Sequence, residues 1–231
     1  MRIVVIPAYN EEKTVGEVVR AAVKIADQVL VVDDGSSDRT AVVARNAGAV
    51  VVRHAVNRGL GGALGTGLTG ALKLGADLIV TMDADGQHAG ADAARVFERL
   101  EAGGVDFVIG SRMLSNVKGQ TSNVPNGHMP LVRRLANAAG NLVTRLLFGI
   151  WVSDSQSGLR GLTADAARRL ELKTNGMEVS SEFIKEIHEK KLRLAEIPIT
   201  AIYTDYSLSK GQSFFNGLKT LAKLVVRKIT G

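Results

Sequence analysis

Two carboxylates and an amide follow a strongly apolar run near the middle of the sequence. Residues 78–82 are apolar or β-branched, and Asp83, Asp85 and Gln87 come next, each two positions apart. Such a run is typical of a strand covered on both faces, and an extended segment would point the three side chains the same way. Hard oxygen ligands suit Mg²⁺ or Mn²⁺, which bind through a few carboxylates together with substrate phosphates. We therefore predict a metal site for a diphosphate, although a polar strand-to-helix turn uses the same residue types.

The elements that must position this segment alternate along the chain. Aliphatic runs predict strands at residues 3–6, 28–32, 50–53, 78–82 and 106–109, the first ending at Pro7. Helical spacing of apolar residues predicts helices at residues 15–23, 40–47, 58–74 and 92–100. This alternation indicates an α/β fold with a mainly parallel central sheet flanked by helices. Ligands in such folds collect beyond the carboxyl ends of the strands, where the Asp83 segment would lie.

The third predicted helix, at residues 58–74, is unusually rich in glycine. Each glycine in a helix interior costs up to about 1 kcal/mol, so we expect close packing against a neighbour or a ligand as compensation. The spacing does not match a dinucleotide-binding fingerprint, because the third glycine is missing and the segment follows the third strand.

The second half of the chain is less regular. Residues 113–128 lack periodicity and predict a mobile active-site loop, and a second polar cluster lies at residues 154–161. The remaining expected elements are helices at 130–148 and 181–190, a strand at 194–199, a loop at 203–212 and a terminal helix. We expect one catalytic domain, residues 1–212, followed by an appended helix, residues 213–231.

Composition narrows the classes of function. The 231 residues include no cysteine, which excludes disulfides and thiolate metal sites, and 45% are hydrophobic, enough for one substantial core. The formal charge of +6 indicates an anionic partner: a nucleic acid, an acidic lipid surface or a phosphorylated substrate. Only 4% of residues are aromatic, which disfavours nucleic-acid binding by base stacking. With no secretory signal and no predicted transmembrane helix, we expect a cytoplasmic protein.

Six short motifs occur in order along most of the chain. They are PAYNEE at 7–12, VDDGSSD at 32–38, NRG at 57–59, DADGQH at 83–88, GSR at 110–112 and DSQSGLR at 154–160. In this order and at these spacings they resemble family 2 glycosyltransferases of the GT-A fold. The resemblance is closest to the polyprenyl-phosphate, or dolichyl-phosphate, sugar synthases.

The resemblance implies a nucleotide-sugar site and a metal site. It assigns the nucleotide sugar to Pro7, Ala8, Tyr9, Glu11, Asp33, Asp83, Ala84 and Lys210. It assigns Mg²⁺ or Mn²⁺ to Asp83, Asp85 and Gln87. An arginine that relatives often carry before the late Ser209-Lys210 pair is missing here.

Some polar residues of these motifs also have a purely structural interpretation. Asp34, with Ser36 and Ser37, could cap the next helix. His88 could contribute a polar contact to the site, but we favour a loop histidine whose hydrogen bonds are satisfied by the backbone.

The resemblance also implies an acceptor side. Arg112 would grip the acceptor phosphate in bidentate fashion, with help from Arg133 and Arg134, which could equally form a solvated helix face. Asp154 would orient the acceptor or donor, the alternative being turn chemistry. The implied catalytic residues are Arg112, Asp154 and Asp85.

The function implied is metal-dependent, inverting transfer of a hexose from a nucleotide sugar of the GDP-mannose or UDP-glucose class to a polyprenyl phosphate. Two alternatives stay open from the sequence. One is transfer to a sugar or protein hydroxyl, which needs a carboxylate base, with Asp154 the candidate. The other is a non-catalytic module that binds nucleotide sugars.

The terminal segment, residues 213–231, combines apolar residues at helical spacing with several lysines and arginines. This pattern is typical of a basic amphipathic helix on an anionic membrane surface. A helix that packs its apolar stripe on the domain core would show the same pattern in its first half. We expect a peripheral enzyme at the cytoplasmic face of the membrane that holds its acceptor.

Overall fold

The computed structural model describes residues 1–114, 141, 145, 149–200 and 202 of the chain. The strands are β1 (Arg2–Ala8), β2 (Gln28–Asp33), β3 (Val50–Arg53), β4 (Leu78–Thr81), β5 (Phe107–Ser111), β6 (Arg160–Thr163) and β7 (Leu194–Pro198). The helices are α1 (Val15–Val23), α2 (Thr40–Asn46), α3 (Leu60–Lys73), α4 (Gly90–Glu101), α5 (Ala164–Arg169) and α6 (Val179–Glu189).

The strands form a seven-stranded sheet in the order β3-β2-β1-β4-β6-β5-β7. Strands β1 to β4 are mutually parallel where they pair, and β5 is parallel to β7. Strand β6 runs antiparallel to both of its neighbours, β4 and β5. The expected mainly parallel α/β architecture is therefore confirmed, with one reversed strand in the middle of the sheet.

Helices cover both faces of this sheet, which explains the continuous apolar runs in the strands. Along β1, Val4 and Ile6 belong to the core beneath α1, α2 and α4. Ile3 and Val5 belong to the opposite core, beneath α3, α5 and α6. Successive side chains of a strand point to opposite faces of the sheet. In a strand with only one buried face, apolar and polar residues would therefore alternate along the sequence.

Three sequence predictions need correction. Strand β1 does not end at Pro7 but continues through Ala8, with Pro7 opposite Val32 of β2. Strand β6 and helix α5 were not predicted, since a four-residue strand containing Arg160 and Gly161 carries no apolar periodicity. The segment after β4 is also not extended, because it turns at Ala84 and Asp85.

Several expectations fall outside the described residues. They are most of the loop at 113–128, most of the helix at 130–148, the loop at 203–212 and the terminal helix. Of the 130–148 stretch, Asn141 and Arg145 are described, and both are helical as predicted. Within the described part of the chain, no helix has the length and apolar character needed to cross a membrane.

Candidate active site

The metal-binding candidates lie on the loop that follows β4. The backbone turns at Ala84 and Asp85, and Gly86 adopts a φ of 78°. Gln87 consequently folds back on Asp85: its backbone N–H donates to Oδ1 at 3.0 Å and its side-chain Nε2 donates to Oδ2 at 2.8 Å. The turn brings Asp85 and Gln87 together, although not by the extended geometry expected from their spacing.

His88 completes this loop and contacts Asp83. Its Nε2 lies 3.3 Å from Asp83 Oδ2, and a proton on Nε2 makes this a hydrogen bond to the carboxylate. The buried Nδ1 has no hydrogen-bond partner among the described residues. The interpretation of His88 as a histidine satisfied by the backbone is therefore wrong, and this side chain belongs to the site.

The two carboxylates differ in their electrostatic surroundings. Removal of water alone would raise the pKa of Asp83, but the hydrogen bond from His88 and the positive charges of Arg160 and Arg112 outweigh it and hold this pKa low. Burial, followed by the charge of Asp83, raises the pKa of Asp85, and Glu11 adds to the effect. Asp85 thus lies among negative charges that a cation would offset.

The donor set fits a hard divalent cation. Asp83 and Asp85 offer carboxylate oxygens and Gln87 offers an amide oxygen, all ligands that Mg²⁺ and Mn²⁺ accept. Across the described ranges, no group of three or more histidine, cysteine, aspartate or glutamate side chains forms a ready metal cage. A site with two carboxylates and an amide is typical of a cation that keeps water and substrate phosphates as its other ligands.

Gly158 gives Asp83 the room it occupies. A Cβ at position 158 would lie 2.0 Å from Asp83 Oδ2, which no real contact allows. The carbonyl of Gly158 also accepts a hydrogen bond from Thr81 Oγ1 at 3.0 Å, which ties the loop before β6 to the end of β4. The glycine of the 154–160 motif is therefore explained by close approach to the metal loop.

Arg112 and Asp154 form a buried ion pair beside this loop. Arg112 donates to Asp154 through Nε at 2.7 Å, through Nη2 at 2.9 Å and through its backbone N–H at 3.1 Å. The Asp154 side chain is fully buried, and that of Arg112 is 17% exposed. This corrects two expectations: the bidentate edge of Arg112 faces Asp154 and not a phosphate, and Asp154 is not placed as an accessible base.

A polar network holds the Asp154 loop in place. The side chain of Asn141 donates to the carbonyl of Ser153 at 2.6 Å and accepts from the N–H and hydroxyl of Ser155. Ser153 in turn contacts Ser111 at 2.5 Å, between hydroxyl oxygens, and donates its N–H to Glu196 at 2.8 Å. Nothing in the sequence singles out Asn141, which is one of several polar residues in the helix predicted at 130–148.

Arg160 is a buried cation whose charge acts on both Asp83 and Asp154. It is 2% exposed, donates to Ser180 Oγ at 2.9 Å and lies 5.0 Å from the centre of the Phe183 ring. Burial lowers the pKa of Arg160 to about 10, against the opposing charges of Asp83 and Asp154. Arg160 belongs to the 154–160 motif, but the motif alone does not indicate its role, because its partners on α6 lie far away in the chain.

The expected nucleotide side lies at the ends of β1 and β2. Asp33 is fully buried; its Oδ1 accepts the N–H of Ser36, and its Oδ2 lies 3.0 Å from Arg53 Nε without the alignment of a hydrogen bond. Tyr9 is 47% exposed at the end of β1. Glu11 accepts from the hydroxyl of Thr14 at 2.9 Å. Asp33 pairs with Ala8 in the sheet, so it lies next to the end of β1 that leads to Tyr9 and Glu11.

Asp34 does not cap α2, the next helix in the chain. Its carboxylate accepts the N–H groups of Arg58 and Gly59, at 2.9 and 2.7 Å, in the turn that leads into α3. At the start of α2, Oδ1 of Asp38 accepts the N–H of Thr40. His54 links Asp34 to the hydroxyl of Thr66 on α3, with distances of 2.6 and 3.0 Å.

The remaining residues assigned by resemblance divide into two groups. Pro7 and Ala8 end β1, and Ala84 is buried in the metal loop. Lys210, Arg133 and Arg134 lie outside the described residues.

Comparison with known proteins places this site in a family. Residues 3–161 match the family described as Glycosyl transferase family 2. An uncharacterized protein of Methanocaldococcus jannaschii is 45% identical, over 98% of this chain and 91% of its own. The UDP-N-acetylglucosamine–dolichyl-phosphate N-acetylglucosaminyltransferase of Methanococcus voltae is 35% identical, over 97% and 95% of the two chains. The undecaprenyl-phosphate mannosyltransferase of Micrococcus luteus is 34% identical, over 89% and 85%.

The fold matches that of a solved glycosyltransferase. Glucosyl-3-phosphoglycerate synthase from Mycobacterium tuberculosis, solved with UDP, superposes with a TM-score of 0.74 at 20% identity, over 99% of this chain and 80% of that one. The same enzyme has also been solved with UDP and Mn²⁺ or Mg²⁺. The resemblance seen in the sequence motifs is thus confirmed for both family and fold. The chain belongs to glycosyl transferase family 2 and is a glycosyltransferase with a GT-A-like α/β fold.

Proposed function

We propose that the protein transfers a hexose from a nucleotide sugar to a polyprenyl phosphate, with inversion at the anomeric carbon. The observation that carries the proposal is the Arg112–Asp154 pair beside the metal loop. It presents a fixed cation, and not a carboxylate base, where the acceptor would approach. The names of the relatives from Methanococcus voltae and Micrococcus luteus, which include dolichyl and undecaprenyl phosphate, support this acceptor class.

The chemistry follows from the charge of the acceptor. A phosphate monoester is anionic at neutral pH and needs no general base, unlike a hydroxyl. One of its oxygens forms a bond to the anomeric carbon while the bond from that carbon to the diphosphate oxygen breaks. The bonding electrons leave with the nucleoside diphosphate. Catalysis then depends on positioning and on electrostatic stabilisation.

The residues of this chain divide these tasks. Asp33, Tyr9 and Glu11 would bind the nucleoside, and the Asp33 oxygen that lacks an aligned donor suits an N–H of the base. Asp83, Asp85 and Gln87 would hold Mg²⁺ or Mn²⁺. That cation would supply positive charge to the departing diphosphate. Asp154 holds Arg112 in place to align the anionic acceptor.

The acceptor class also suggests a location. A polyprenyl phosphate resides in a membrane, so the enzyme would work as a peripheral protein at the cytoplasmic face. The basic segment 213–231 is one proposed contact with anionic lipid. Lys210 would serve the diphosphate as a point charge, and Arg133 and Arg134 would serve the acceptor phosphate.

A transfer assay with purified protein tests the function. Labelled GDP-mannose, UDP-glucose and UDP-N-acetylglucosamine are each incubated with polyprenyl phosphate and Mn²⁺, with EDTA as control. We expect metal-dependent transfer of label into the lipid fraction from one donor. Label appearing only as free sugar, or only on hydroxyl acceptors, would contradict the proposal.

Asp85→Asn is the matched variant for this assay. It removes charge from the metal loop at constant volume, so transfer should fall by about 100-fold or more. Thermal melting should change little. Asp165→Asn, at an exposed position on α5, is the control and should keep full activity. Unchanged transfer by Asp85→Asn in the presence of EDTA would remove Asp85 from the metal site.

A further inference from the structure

Trp151 stands out as an exposed aromatic side chain on well-packed backbone. It is the one tryptophan of the sequence, and its side chain is 57% exposed. Its neighbours face inward: Val152 is 1% exposed, and Ile150 packs against the core beneath α3 and α6. The ring is therefore projected outward by an anchored segment. Leaving so large an apolar surface in water forgoes about 25 cal/mol for each Å² that a partner could cover.

Arg145 lies over the face of this ring. Its guanidinium carbon is 5.5 Å from the centre of the Trp151 ring, within the range of a cation–π contact. Arg145 is itself exposed. The pair thus offers one apolar and one cationic group at the same point on the surface. Indole rings favour the headgroup level of a bilayer, and guanidinium groups pair with lipid phosphates.

The segment that carries Trp151 is tied to the acceptor side of the site. Ser153, two residues on, contacts Ser111 at the end of β5 and donates to Glu196 of β7. Asp154 follows and holds Arg112. The orientation of the ring is therefore coupled to the residues that would align the acceptor phosphate.

Two further apolar side chains are exposed at the same end of the sheet. Leu114, two residues after Arg112, is 37% exposed, and Ile202, just after β7, is 38% exposed. The N–H of Ile202 donates to the carbonyl of Gln87 in the metal loop. Because β5 and β7 are parallel neighbours in the sheet, Leu114 and Ile202 follow strands that end side by side.

We propose that Trp151 and Arg145 form a surface that rests on an anionic lipid bilayer and turns the Arg112 side of the site toward it. The inference depends on the proposed function, because it assumes an acceptor phosphate at the membrane surface. Charge favours a bilayer as the occupant: the chain carries a net charge of +6, and the cation beside the indole suits an anionic headgroup. Neither Trp151 nor Arg145 belongs to segment 213–231.

Intrinsic fluorescence tests this directly, because all tryptophan emission comes from position 151. The full chain is mixed with vesicles of equal parts phosphatidylglycerol and phosphatidylcholine, without donor or acceptor. We expect the emission to shift to shorter wavelength and to be quenched by lipids brominated near the headgroup. Vesicles of phosphatidylcholine alone should give a smaller change. Co-sedimentation with anionic vesicles without any change in emission would overturn the proposal, as would a failure to bind them.

Variants separate this surface from the rest of the protein. Arg145→Gln should weaken binding to anionic vesicles about fivefold, since one basic residue near such a surface is worth about 1 kcal/mol. Trp151→Ala should weaken it at least as much. Val56→Ala, which truncates a 68% exposed side chain after β3 at the other edge of the sheet, is the control and should bind like the wild type. Equal loss in all three variants would contradict a specific role for Trp151 and Arg145.

Two acceptors distinguish failure of this inference from failure of the proposed function. Transfer is measured to a polyprenyl phosphate in vesicles and to a short, water-soluble prenyl phosphate in free solution. With the acceptor in vesicles, Trp151→Ala should lose activity by about the same factor as it loses vesicle binding. With the water-soluble acceptor, this variant should keep its activity. Equal loss with both acceptors would overturn the inference. No transfer by wild-type protein to either acceptor would overturn the proposed function, and the fluorescence result would still decide the membrane contact.

Discussion

At the scale of single residues, Asp154 determines the orientation of the Arg112 guanidinium group. The guanidinium donates two hydrogen bonds to Asp154, so the planar group has one orientation relative to the metal loop. Lysine keeps the charge but cannot make this paired contact. We expect Arg112→Lys to raise the KM for the acceptor about tenfold or more, the equivalent of about 1.4 kcal/mol. The KM for the donor should change little.

Steady-state kinetics with each substrate varied in turn check this expectation. Asp154→Asn is the companion variant, because it keeps the shape of the carboxylate and removes its charge. It should shift the same acceptor constant. A collapse of nucleotide affinity with unchanged dependence on the acceptor would instead place Arg112 on the donor side.

Arg160 acts at the same scale as a buried counter-charge. Its guanidinium contacts Ser180 and Phe183, and its charge acts on both Asp83 and Asp154. Removing a buried cation leaves its anionic partners uncompensated, which costs about 3–5 kcal/mol in comparable sites. We therefore expect Arg160→Met to lose both stability and activity. Ser180→Ala removes one hydrogen bond and should cost only about 1 kcal/mol.

Urea denaturation and transfer assays on the two variants separate the roles. In Ser180→Ala the Arg160 charge remains, so activity should be near that of wild type. If Arg160→Met were as stable and active as wild type, Arg160 would not be needed as a counter-charge to these carboxylates.

At the scale of elements, the glycines of α3 serve different purposes. A Cβ at Gly61 would lie 1.9 Å from the carbonyl oxygen of Thr174, whereas a Cβ at Gly65 would meet nothing within 4 Å. The N–H of Gly61 also donates to the carbonyl of Asn175 at 2.9 Å. The close packing expected from the glycine content is therefore present at the start of α3.

This contrast predicts opposite effects of one substitution. Gly61→Ala should destabilise the protein by about 1–3 kcal/mol, because backbone must move to admit the methyl group. Gly65→Ala should stabilise it by about 0.5–1 kcal/mol, because alanine is the better helix former and nothing obstructs it. Thermal and urea unfolding of both variants measure the two signs. Destabilisation by Gly65→Ala would contradict the expectation that a methyl group fits at this position without a clash.

Elements were predictable where their own residues determine them. The apolar runs of β1 to β5 and β7 and the periodicity of α1 to α4 located these elements to within about two residues. Strand β6 was not predictable, because its four residues gain their structure from pairing with β4 and β5 on either side.

The residues of the candidate site also divide into those that the sequence indicated and those that depend on distant partners. The loop after β4 was evident from residue types, and Arg112 and Asp154 were assigned by the resemblance to the family. Their partners were not, since Arg112 and Asp154 are 42 positions apart and nothing local indicates that they pair. The contacts of Asp34 with the N–H groups of Arg58 and Gly59 were not predictable for the same reason.

At the scale of the whole molecule, an ion pair links the last two strands of the sheet. Asp106, before β5, accepts hydrogen bonds from the backbone and the guanidinium of Arg193, before β7. The guanidinium hydrogen bond, against a small effect of burial, lowers the pKa of Asp106 to about 2. Because the folded pKa lies below the unfolded one, this pair stabilises the fold above about pH 4. That contribution is lost as the pH falls from about 4 to 2.

Asp106→Asn should remove this part of the pH dependence. We expect a loss of about 1 kcal/mol at neutral pH, a modest value because Arg193 is largely exposed. Toward pH 2 the variant and the wild type should converge. Urea unfolding at a series of pH values provides the comparison. Asp165→Asn, which breaks a pair between two exposed side chains, is the control and should stay parallel to wild type.

The Arg112–Asp154 pair has a consequence for how such enzymes can diversify. It joins two points 42 positions apart in the chain through three hydrogen bonds. A junction of this kind depends on two residue types, an arginine at position 112 and a carboxylate at position 154. Relatives that keep both residues therefore keep the junction while other positions change, and a substitution at either one opens it.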